Sequence, residues 1–384
     1  MTYLEVFYQT LARSMPEWLA YLIPFLVGSI VVLGFLLTTV MVFIYMERRV
    51  LGRFQIRQGP NRTGPKGLLQ PVADAIKVLT KEDIVPLPGD KVAHFIAPIL
   101  VFIPTLLIFA VIPFQNGALL ADLNIGVMYV AAVGTISVIG AFVAGWGSNN
   151  KYSLISAIRA VAQMVSYEVP LMLSMVGVVL IAGSLSLNSI VEKQHIPFIF
   201  LQPLGFFIFL AGSLAEINRT PFDLLEADSE IVAGFHTEYS GMKFALFFLG
   251  EYAHAVVTSA LISVFFLSGW KGFPGLPIFV WFLIKIGLVF TGIIWIRSTL
   301  PRFRVDQLMG FAWKFLFPAA LVNIFITGLE AMVWPGFPWF VVIINWIVAG
   351  AVVASGSLLF VTGKGRILEI QGAKPEGRSL IEAR

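Results

Sequence analysis

The chain has 384 residues, of which 58% are hydrophobic and only 12% are charged, and its formal net charge is +4. Soluble domains carry roughly 25% charged residues, so this composition excludes an ordinary soluble protein and favours one that lies within a bilayer. The absence of cysteine excludes an iron–sulfur cluster held by this chain alone, and four scattered histidines argue against a haem or zinc site.

Apolar runs of about 20 residues recur along the chain, and each is long enough to cross a hydrocarbon core about 30 Å thick as a helix. We therefore predict an all-α, polytopic membrane protein with about nine transmembrane helices. They form a single transmembrane domain over residues 1–361, followed by a polar cytoplasmic tail over 362–384. The predicted spans are 19–46, 93–114, 127–146, 156–184, 198–217, 241–268, 277–297, 309–332 and 337–361.

The distribution of positive charge predicts the orientation. With the N-terminus outside, three of the 26 Lys and Arg residues fall on the outer side, one falls within a span, and the rest lie on the inner side. The positive-inside rule therefore places the N-terminus outside and the C-terminus in the cytoplasm. This topology, together with contact with a lipid bilayer, explains the basic balance of the chain without a nucleic-acid partner.

The longest inner loop, residues 47–91, contains a predicted interfacial helix. A Gly/Pro-rich turn, GPNRTGPKG over 59–67, precedes the stretch LLQPVADAIKVLTKED. Apolar residues recur there at helical spacing while Asp74, Lys77 and Lys81 lie off the stripe, as in an amphipathic helix at a membrane surface. The pattern alone fits a simple surface anchor equally well. The stripe comprises Leu68, Leu69, Val72, Ala73, Ile76 and Leu79.

Carboxylates are concentrated at the end of the fifth predicted span and in the acidic inner loop over 218–240. The segment 216–238 holds six of the chain's 22 acidic residues and one arginine, Arg219. Such a density beside membrane spans indicates a place where protons or a polar ligand meet the bilayer. The six are Glu216, Asp223, Glu226, Asp228, Glu230 and Glu238.

Two further glutamates, Glu168 and Glu251, lie within predicted spans. A charge at the centre of a span costs about 2.5–3.5 kcal/mol on insertion scales, so such residues usually face a bundle interior or water. For any single position, a protonated glutamate that hydrogen-bonds a neighbouring helix is the alternative. Together with Glu216 and the acidic loop, the two glutamates favour a path for protons.

Three other ionisable residues have two interpretations each. Lys285, in the middle of a span, can pair with one of these acids or extend toward the membrane surface. His254 can join a proton relay with Glu251 or act in packing and hydrogen bonding. Glu47 can have a functional role or form a salt bridge with an adjacent arginine, Arg48 or Arg49.

Four long blocks of sequence resemble one known family. They are ERRVLGRFQIRQGPNRTGPKGLLQPVADAIK (47–77), GWGSNNKYSLISAIRAVAQMVSYEVPL (145–171), AEINRTPFDLLEADSEIVAGFHTEYSGMKFALFF (215–248) and PRFRVDQLM (301–309). By these blocks the chain is similar to the quinone-site membrane subunit of respiratory complex I, called the H subunit in bacteria and subunit 1 in mitochondria. That family has eight core spans, so the resemblance makes the ninth, 337–361, an additional helix.

The resemblance implies a function in proton-pumping NADH:quinone oxidoreductase of the bacterial cytoplasmic (inner) membrane. In that family the subunit joins the membrane arm to the peripheral arm, and its inner loops close one side of a tunnel for quinone, the substrate. A partner subunit's iron–sulfur cluster reduces the quinone, so this chain is expected to hold no haem, iron–sulfur cluster, flavin or metal. The expected partners are the peripheral-arm iron–sulfur and quinone-site subunits and the small and antiporter-like membrane subunits.

The resemblance also assigns two sets of residues. The acidic proton path comprises Glu168, Glu216, Glu226, Asp228, Glu230 and Glu251. The quinone-tunnel lining or its supports comprise Glu47, Arg48, Arg57, Asp74, Arg159, Arg219, Asp223, Glu238, Arg302 and Arg304. The chain departs from some family members in its third span, which has no carboxylate and offers only Thr135 and Ser137. Asp228 is also shorter than the glutamate often found there.

Three alternatives remain at this stage. The first is a related membrane-bound hydrogenase or formate-linked complex, against which the complete NRTPFD and QIRQGPN blocks argue. The second is a stand-alone cation/proton transporter, which leaves the long basic inner loop unexplained. The third is a scaffold that anchors a peripheral arm while other subunits pump.

Overall fold

The computed structural model describes residues 16–115, 121–224, 234–272, 275–334 and 338–372, with side chains up to residue 356. Within these ranges the chain is helical and has no β-strand. Eight helices of the described part are long and apolar enough to cross a membrane. The all-α, multi-pass membrane fold predicted from the sequence is therefore confirmed.

The helices are numbered in chain order. They are α1 (Glu17–Phe54), α2 (Gln70–Leu79), α3 (Lys91–Phe109), α4 (Gly126–Gly147), α5 (Lys151–Ala182), α6 (Leu187–Lys193), α7 (Phe198–Leu201), α8 (Pro203–Glu216), α9 (Gly241–Phe266), α10 (Ile278–Thr299), α11 (Val305–Phe311), α12 (Phe317–Val333) and α13 (Trp339–Gly372). A π-helical turn, Ala312–Leu316, joins α11 to α12 into one membrane-length helix.

Eight of the nine predicted spans are single helices of membrane length, whereas the fifth predicted span, 198–217, is apolar but is not one continuous helix. It is divided into α7 and α8 at Gln202, whose backbone is non-helical at φ −132° and ψ 65°. Pro203 explains the break because a proline disfavours helical geometry at the residue before it. The 14 residues of α8 measure about 21 Å at 1.5 Å per residue, which is short of the roughly 30 Å core.

Two other helices extend beyond their predicted ends. Helix α1 continues for eight residues past position 46, so Glu47 and Arg48 lie near its C-terminal end and not in a loop. It ends where Ile56 adopts a positive φ of 54°. Helix α13 runs to Gly372 and includes the first part of the segment predicted as a tail.

The predicted interfacial helix is present as α2. It starts with Pro71 in its first turn, where the missing N–H group costs nothing. The large apolar side chains of its stripe are exposed in the chain, with exposed fractions from 40% for Val72 to 64% for Leu79. An apolar face directed away from the bundle is typical of a helix that lies on a membrane surface.

The interior of the bundle is formed by α5, α8 and α9. Helix α9 is the most buried of the eight membrane-length helices, and α5 packs against α4, α8 and α12. Helices α3 and α4 approach closely because Gly140 lacks a side chain; a Cβ there would lie 2.9 Å from the Val101 backbone nitrogen. Glu168, Glu216 and Glu251 are carried by α5, α8 and α9, and each of them lines a cavity between helices of this interior.

Lys285 of α10 extends toward the end of its span, where its ammonium group contacts the segment that follows α9. Its Nζ donates hydrogen bonds to the carbonyl oxygens of Leu267 at 2.6 Å, Gly269 at 2.9 Å and Lys271 at 2.5 Å. These carbonyls follow the C-terminal end of α9, where backbone acceptors lack helical partners and a positive charge is favourable. Lys285 therefore fastens α10 to the end of α9.

We expect Lys285→Met to destabilise the assembled protein by roughly 2–3 kcal/mol, because three part-buried carbonyl groups lose a charged donor. Thermal unfolding of the purified complex measures the effect. Lys314→Met, at an exposed position of the π-helical turn, is the matched control and should change little. Equal melting temperatures for the two variants would show that the three hydrogen bonds add nothing to stability.

Candidate functional site

A buried network of charges joins α1, α9, α10 and the loop after α8. Arg219 donates from one terminal nitrogen to Glu47 Oε1 at 3.0 Å and pairs through Nε with Glu251 Oε1 at 3.0 Å. Arg297 of α10 also pairs with Glu47 Oε1. The guanidinium carbon of Arg219 lies 4.6 Å from the centre of the Tyr252 ring. Glu47 thus pairs with residues distant in sequence and not with the adjacent arginines.

Burial makes this network sensitive to charge. The exposed fractions of Glu47 and Arg219 are 3% and 6%. Two charges interact much more strongly in such surroundings than in water because the local dielectric constant is lower. Removing one partner would leave an uncompensated buried charge, which is strongly destabilising. Any change in charge near Arg219 is therefore transmitted to both Glu47 and Glu251.

Two smaller ion pairs lie near the network, at the C-terminal end of α1 and in the loop after α8. Arg48 pairs with Asp74 and thereby fastens α2 to the end of α1, and Gln70 Nε2 donates to Asp74 Oδ1 at 3.1 Å. Arg302 pairs with Asp223 at 2.8 Å and so joins the segment before α11 to the loop after α8. The pairs hold the inner loops against the ends of the spans.

Gln163 of α5 fixes the loop that follows Glu216, a role that no sequence pattern indicated. Its Nε2 lies within hydrogen-bond distance of three acceptors: the carbonyl oxygens of Ala215 and Phe222, both at 2.8 Å, and Asn218 Oδ1 at 3.2 Å. An amide buried among acceptors from both ends of the loop holds its conformation. By holding the loop, Gln163 fixes the positions of Glu216, which precedes the loop, and Arg219, which lies in it.

The segment before α9 is fastened to α3, α4 and α5. Asn150 Nδ2 donates to Glu238 Oε1 at 2.6 Å, and the Ser153 hydroxyl donates to the Phe235 carbonyl at 2.8 Å. The Tyr239 ring stacks on His94 with ring centres 3.9 Å apart. Burial raises the pKa of Tyr239 and lowers the pKa of His236 to about 4, so both side chains are neutral at neutral pH.

A cavity of about 80 Å³, which we call the inner cavity, lies between α3, α4, α8 and α9. Its polar lining includes Glu216, Glu251, His254, His236 and Ser137. One water needs about 10–15 Å³ of such volume and two to four polar partners. The inner cavity therefore has room and hydrogen-bonding groups for several waters.

A second cavity of about 30 Å³, the mid-membrane cavity, lies deeper between α4, α5, α8 and α9. Glu168 lines it among mainly apolar side chains. Glu216 and His254 line both cavities, and His254 Nε2 lies 3.5 Å from Glu216 Oε1. The pair formed by Glu216 and His254 is thus the boundary between a cavity that holds Glu251 and a cavity that holds Glu168.

Helix α4 has no carboxylate and instead presents small residues to the two cavities. Gly134 lines the mid-membrane cavity, and a Cβ at this position would lie 3.6 Å from Glu216 Oε1. Ser137 lines the inner cavity and donates to the Gly134 carbonyl at 2.8 Å. Thr135, the other hydroxyl considered from the sequence, is half-buried and donates to the Ala132 carbonyl of its own helix.

The structure brings together some residues of the predicted sets and separates others. Glu226, Asp228 and Glu230 lie outside the described residues. Arg57 is exposed, with Nε 2.7 Å from Gln55 Oε1, and Arg304 is exposed at the start of α11. Arg159 is half-buried, and like these two it lines neither cavity. Within the described residues no group of three His, Asp or Glu side chains is arranged to hold a metal.

The comparisons with known proteins agree on one family. A family model described as NADH dehydrogenase matches residues 27–328. The NADH-quinone oxidoreductase of Dehalococcoides mccartyi strain CBDB1 has an H subunit that is 56% identical over 343 residues, covering 89% of this chain and 97% of that protein. The corresponding H subunit of Brevibacillus brevis is 48% identical over 83% of this chain and 96% of its own length, and that of Anoxybacillus flavithermus is 48% identical over 84% and 98%.

Proposed function

Because the chain belongs to the NADH dehydrogenase family, we propose that it is the membrane subunit in which quinone reduction is coupled to proton movement. It is a multi-pass subunit of NADH:quinone oxidoreductase, and other subunits of that complex are its partners. We infer that it lies in the bacterial cytoplasmic membrane with its N-terminus outside, as the positive-inside rule indicates.

Quinone is the substrate that we assign to the inner side of the bundle. Because the chain has no cysteine, it cannot hold an iron–sulfur cluster by itself, and we assign the electron donor to a partner subunit. We assign one wall of the quinone tunnel to the inner loops fastened by Arg48–Asp74 and Arg302–Asp223 and to the Glu47–Arg219–Arg297 network. Arg57, Arg159, Glu238 and Arg304 remain in the proposal as loop supports.

The coupling step is electrostatic. Quinone takes up two electrons from the partner subunit and two protons from nearby groups. The quinol is neutral, so the charge changes on the groups beside the inner loops that give up the protons. Arg219 transmits such a change to Glu251 because the two are 3.0 Å apart, with Arg219 buried and Glu251 half-buried. Glu251 then exchanges a proton through the inner cavity with Glu216 and His254, and the mid-membrane cavity leads from that pair to Glu168. Coupled groups of this kind titrate together and not independently.

One observation carries the proposal: Glu216 and His254 line both cavities and so connect Glu251 with Glu168. Glu226, Asp228 and Glu230 belong to the proposed path on the basis of the resemblance alone. The path then continues from Glu168 toward the antiporter-like membrane subunits.

Glu216→Gln in the whole complex tests the route. We expect proton translocation to fall several-fold in sealed vesicles while NADH:quinone electron transfer persists when an uncoupler is present, because glutamine keeps the hydrogen bonds but cannot carry a proton. Glu192→Gln, at an exposed position outside both cavities, is the matched control. A Glu216→Gln enzyme that moves as many protons per NADH as the control would leave the chain a scaffold role only.

A further inference from the structure

A second buried polar cluster lies at the opposite end of the bundle from the Glu47–Arg219 network. It is formed by Gln202, at the break between α7 and α8, and by Asn323, Thr327 and Glu330 on one face of α12. Their exposed fractions are 2%, 6%, 2% and 5%. Neither the proton route described above nor the inner loops use these residues.

Only part of the cluster's hydrogen-bonding capacity is satisfied within the chain. Gln202 Nε2 donates to Thr327 Oγ1 at 2.8 Å, and Asn345 of α13 donates to Glu330 Oε2 at 2.9 Å. Within the described residues, Gln202 Oε1, Asn323 Nδ2 and Glu330 Oε1 are buried without a hydrogen-bond partner. An unsatisfied buried polar group costs roughly 1–3 kcal/mol, so three in one cluster indicate a ligand that satisfies them.

The chemistry of these three atoms selects water. Two of them are acceptors and one, the Asn323 amide nitrogen, is a donor. A metal cation would be opposed by the amide hydrogens, whereas water donates and accepts and typically makes about three hydrogen bonds when buried. If Glu330 served only to hold α13, the hydrogen bond from Asn345 to Glu330 Oε2 would be sufficient. That role would not explain why Glu330 Oε1 is buried without a partner.

Two glycines make space for the amides and bring the cluster close to the mid-membrane cavity. A Cβ at Gly177 of α5 would lie 2.8 Å from Asn323 Nδ2, and one at Gly205 of α8 would lie 3.2 Å from the same atom. Met175 and Phe209, which line the mid-membrane cavity, are only two and four residues away from these glycines in sequence. One turn of apolar side chains therefore separates the cluster from the cavity that holds Glu168.

We propose that Gln202, Asn323, Thr327 and Glu330 form a hydrated proton-exchange site on the outer half of the bundle, which we call the outer site. Glu330 is the group that binds and releases the proton, and it lies three residues before the end of α12. The apolar turn at Met175 and Phe209 closes the site toward Glu168, and its transient hydration connects the two. This inference rests on the proposed route through Glu216 and Glu168, which it extends toward the outer surface.

Glu330→Gln tests the outer site without removing the contact to α13, because the glutamine side-chain oxygen still accepts from Asn345. We expect fewer protons translocated per NADH oxidised, with electron transfer retained under uncoupled conditions. Glu330→Leu removes both the proton-binding group and the hydrogen bond from Asn345. If Glu330 has only a structural role, proton translocation should be impaired in Glu330→Leu and normal in Glu330→Gln. If Glu330→Gln translocates as many protons per NADH as the wild type while Glu216→Gln translocates fewer, the outer site is overturned and the proposed route is kept. Wild-type ratios for both would overturn both.

Water access has an independent readout, because the chain has no cysteine of its own. In the assembled complex, Thr327→Cys should react with a small, membrane-impermeant thiol reagent added from the outer side, with mass spectrometry of this chain as the measurement. Ala320→Cys, buried on the same helix outside the cluster, is the control. We expect the Thr327 position to react at least roughly tenfold faster, since a dry site reacts only in its rare open fraction. Equal rates, or a translocation ratio that depends on sodium, would contradict a hydrated proton site.

Discussion

Arg219→Met should remove most of the quinone-reductase activity of the complex and lower the yield of assembled enzyme. Arg219 holds Glu47 and Glu251 at 3.0 Å each and stacks on Tyr252, so one substitution leaves Glu251 without this partner and Glu47 with Arg297 as its remaining ion pair. Removing one member of a buried ion pair typically costs about 3–5 kcal/mol. The yield of intact complex and its uncoupled NADH:quinone activity measure the loss.

Arg219→Lys should restore little of this function. A lysine offers a single point charge, whereas the guanidinium binds one carboxylate through a terminal nitrogen and the other through Nε while its plane faces an aromatic ring. Arg53→Met, at an exposed position near the inner end of α1, is the control for loss of a positive charge. An Arg219→Met complex as abundant and active as the Arg53→Met complex would contradict the importance of the network.

A double variant separates stability from coupling. Arg219→Met combined with Glu251→Gln removes the half-buried Glu251 carboxylate along with its partner, so assembly should recover partly relative to Arg219→Met alone. Proton translocation should remain low, because Glu251 is the inner member of the proposed route. Recovery of both properties together would indicate that Glu251 is a structural partner of Arg219 and nothing more.

The membrane fold could be predicted from the sequence because runs of apolar residues long enough to cross the bilayer are a local property. The prediction failed at positions where a local detail competes with hydrophobicity. Pro203 divides the fifth span, and the amphipathic sequence after position 46 continues α1 to Phe54.

The candidate site was only partly predictable, since the sequence shows which charged residues fall within apolar spans but not which residues they pair with. The cost of a charge in the bilayer identified Glu168 and Glu251, and the same reasoning applied to Glu330, within the predicted span 309–332, would have found the outer site. The pairing of Glu47 with Arg219 and Arg297 joins residues more than 170 positions apart in sequence, which no local pattern reveals. Gln163 was missed because a single amide in a span carries no specific signal.

The route through the mid-membrane cavity can be blocked without touching a charged residue. Gly134→Leu should abolish most proton translocation, because the leucine side chain would enter the cavity of about 30 Å³ beside Glu216. All carboxylates remain in place, so electron transfer under uncoupled conditions should persist. Proton translocation in sealed vesicles, compared with uncoupled electron transfer, measures the block.

Gly134→Ala is the graded control, since its Cβ would make only an ordinary contact of 3.6 Å with Glu216 Oε1. Gly287→Leu is the control for leucine itself, because a Cβ at Gly287 meets nothing within 4 Å. Overpacking costs roughly 1–3 kcal/mol, so the melting temperature of each complex must accompany its translocation ratio. If a stable Gly134→Leu complex pumps normally, protons do not pass through this cavity, and Glu168 is better explained as a protonated residue that hydrogen-bonds neighbouring helices.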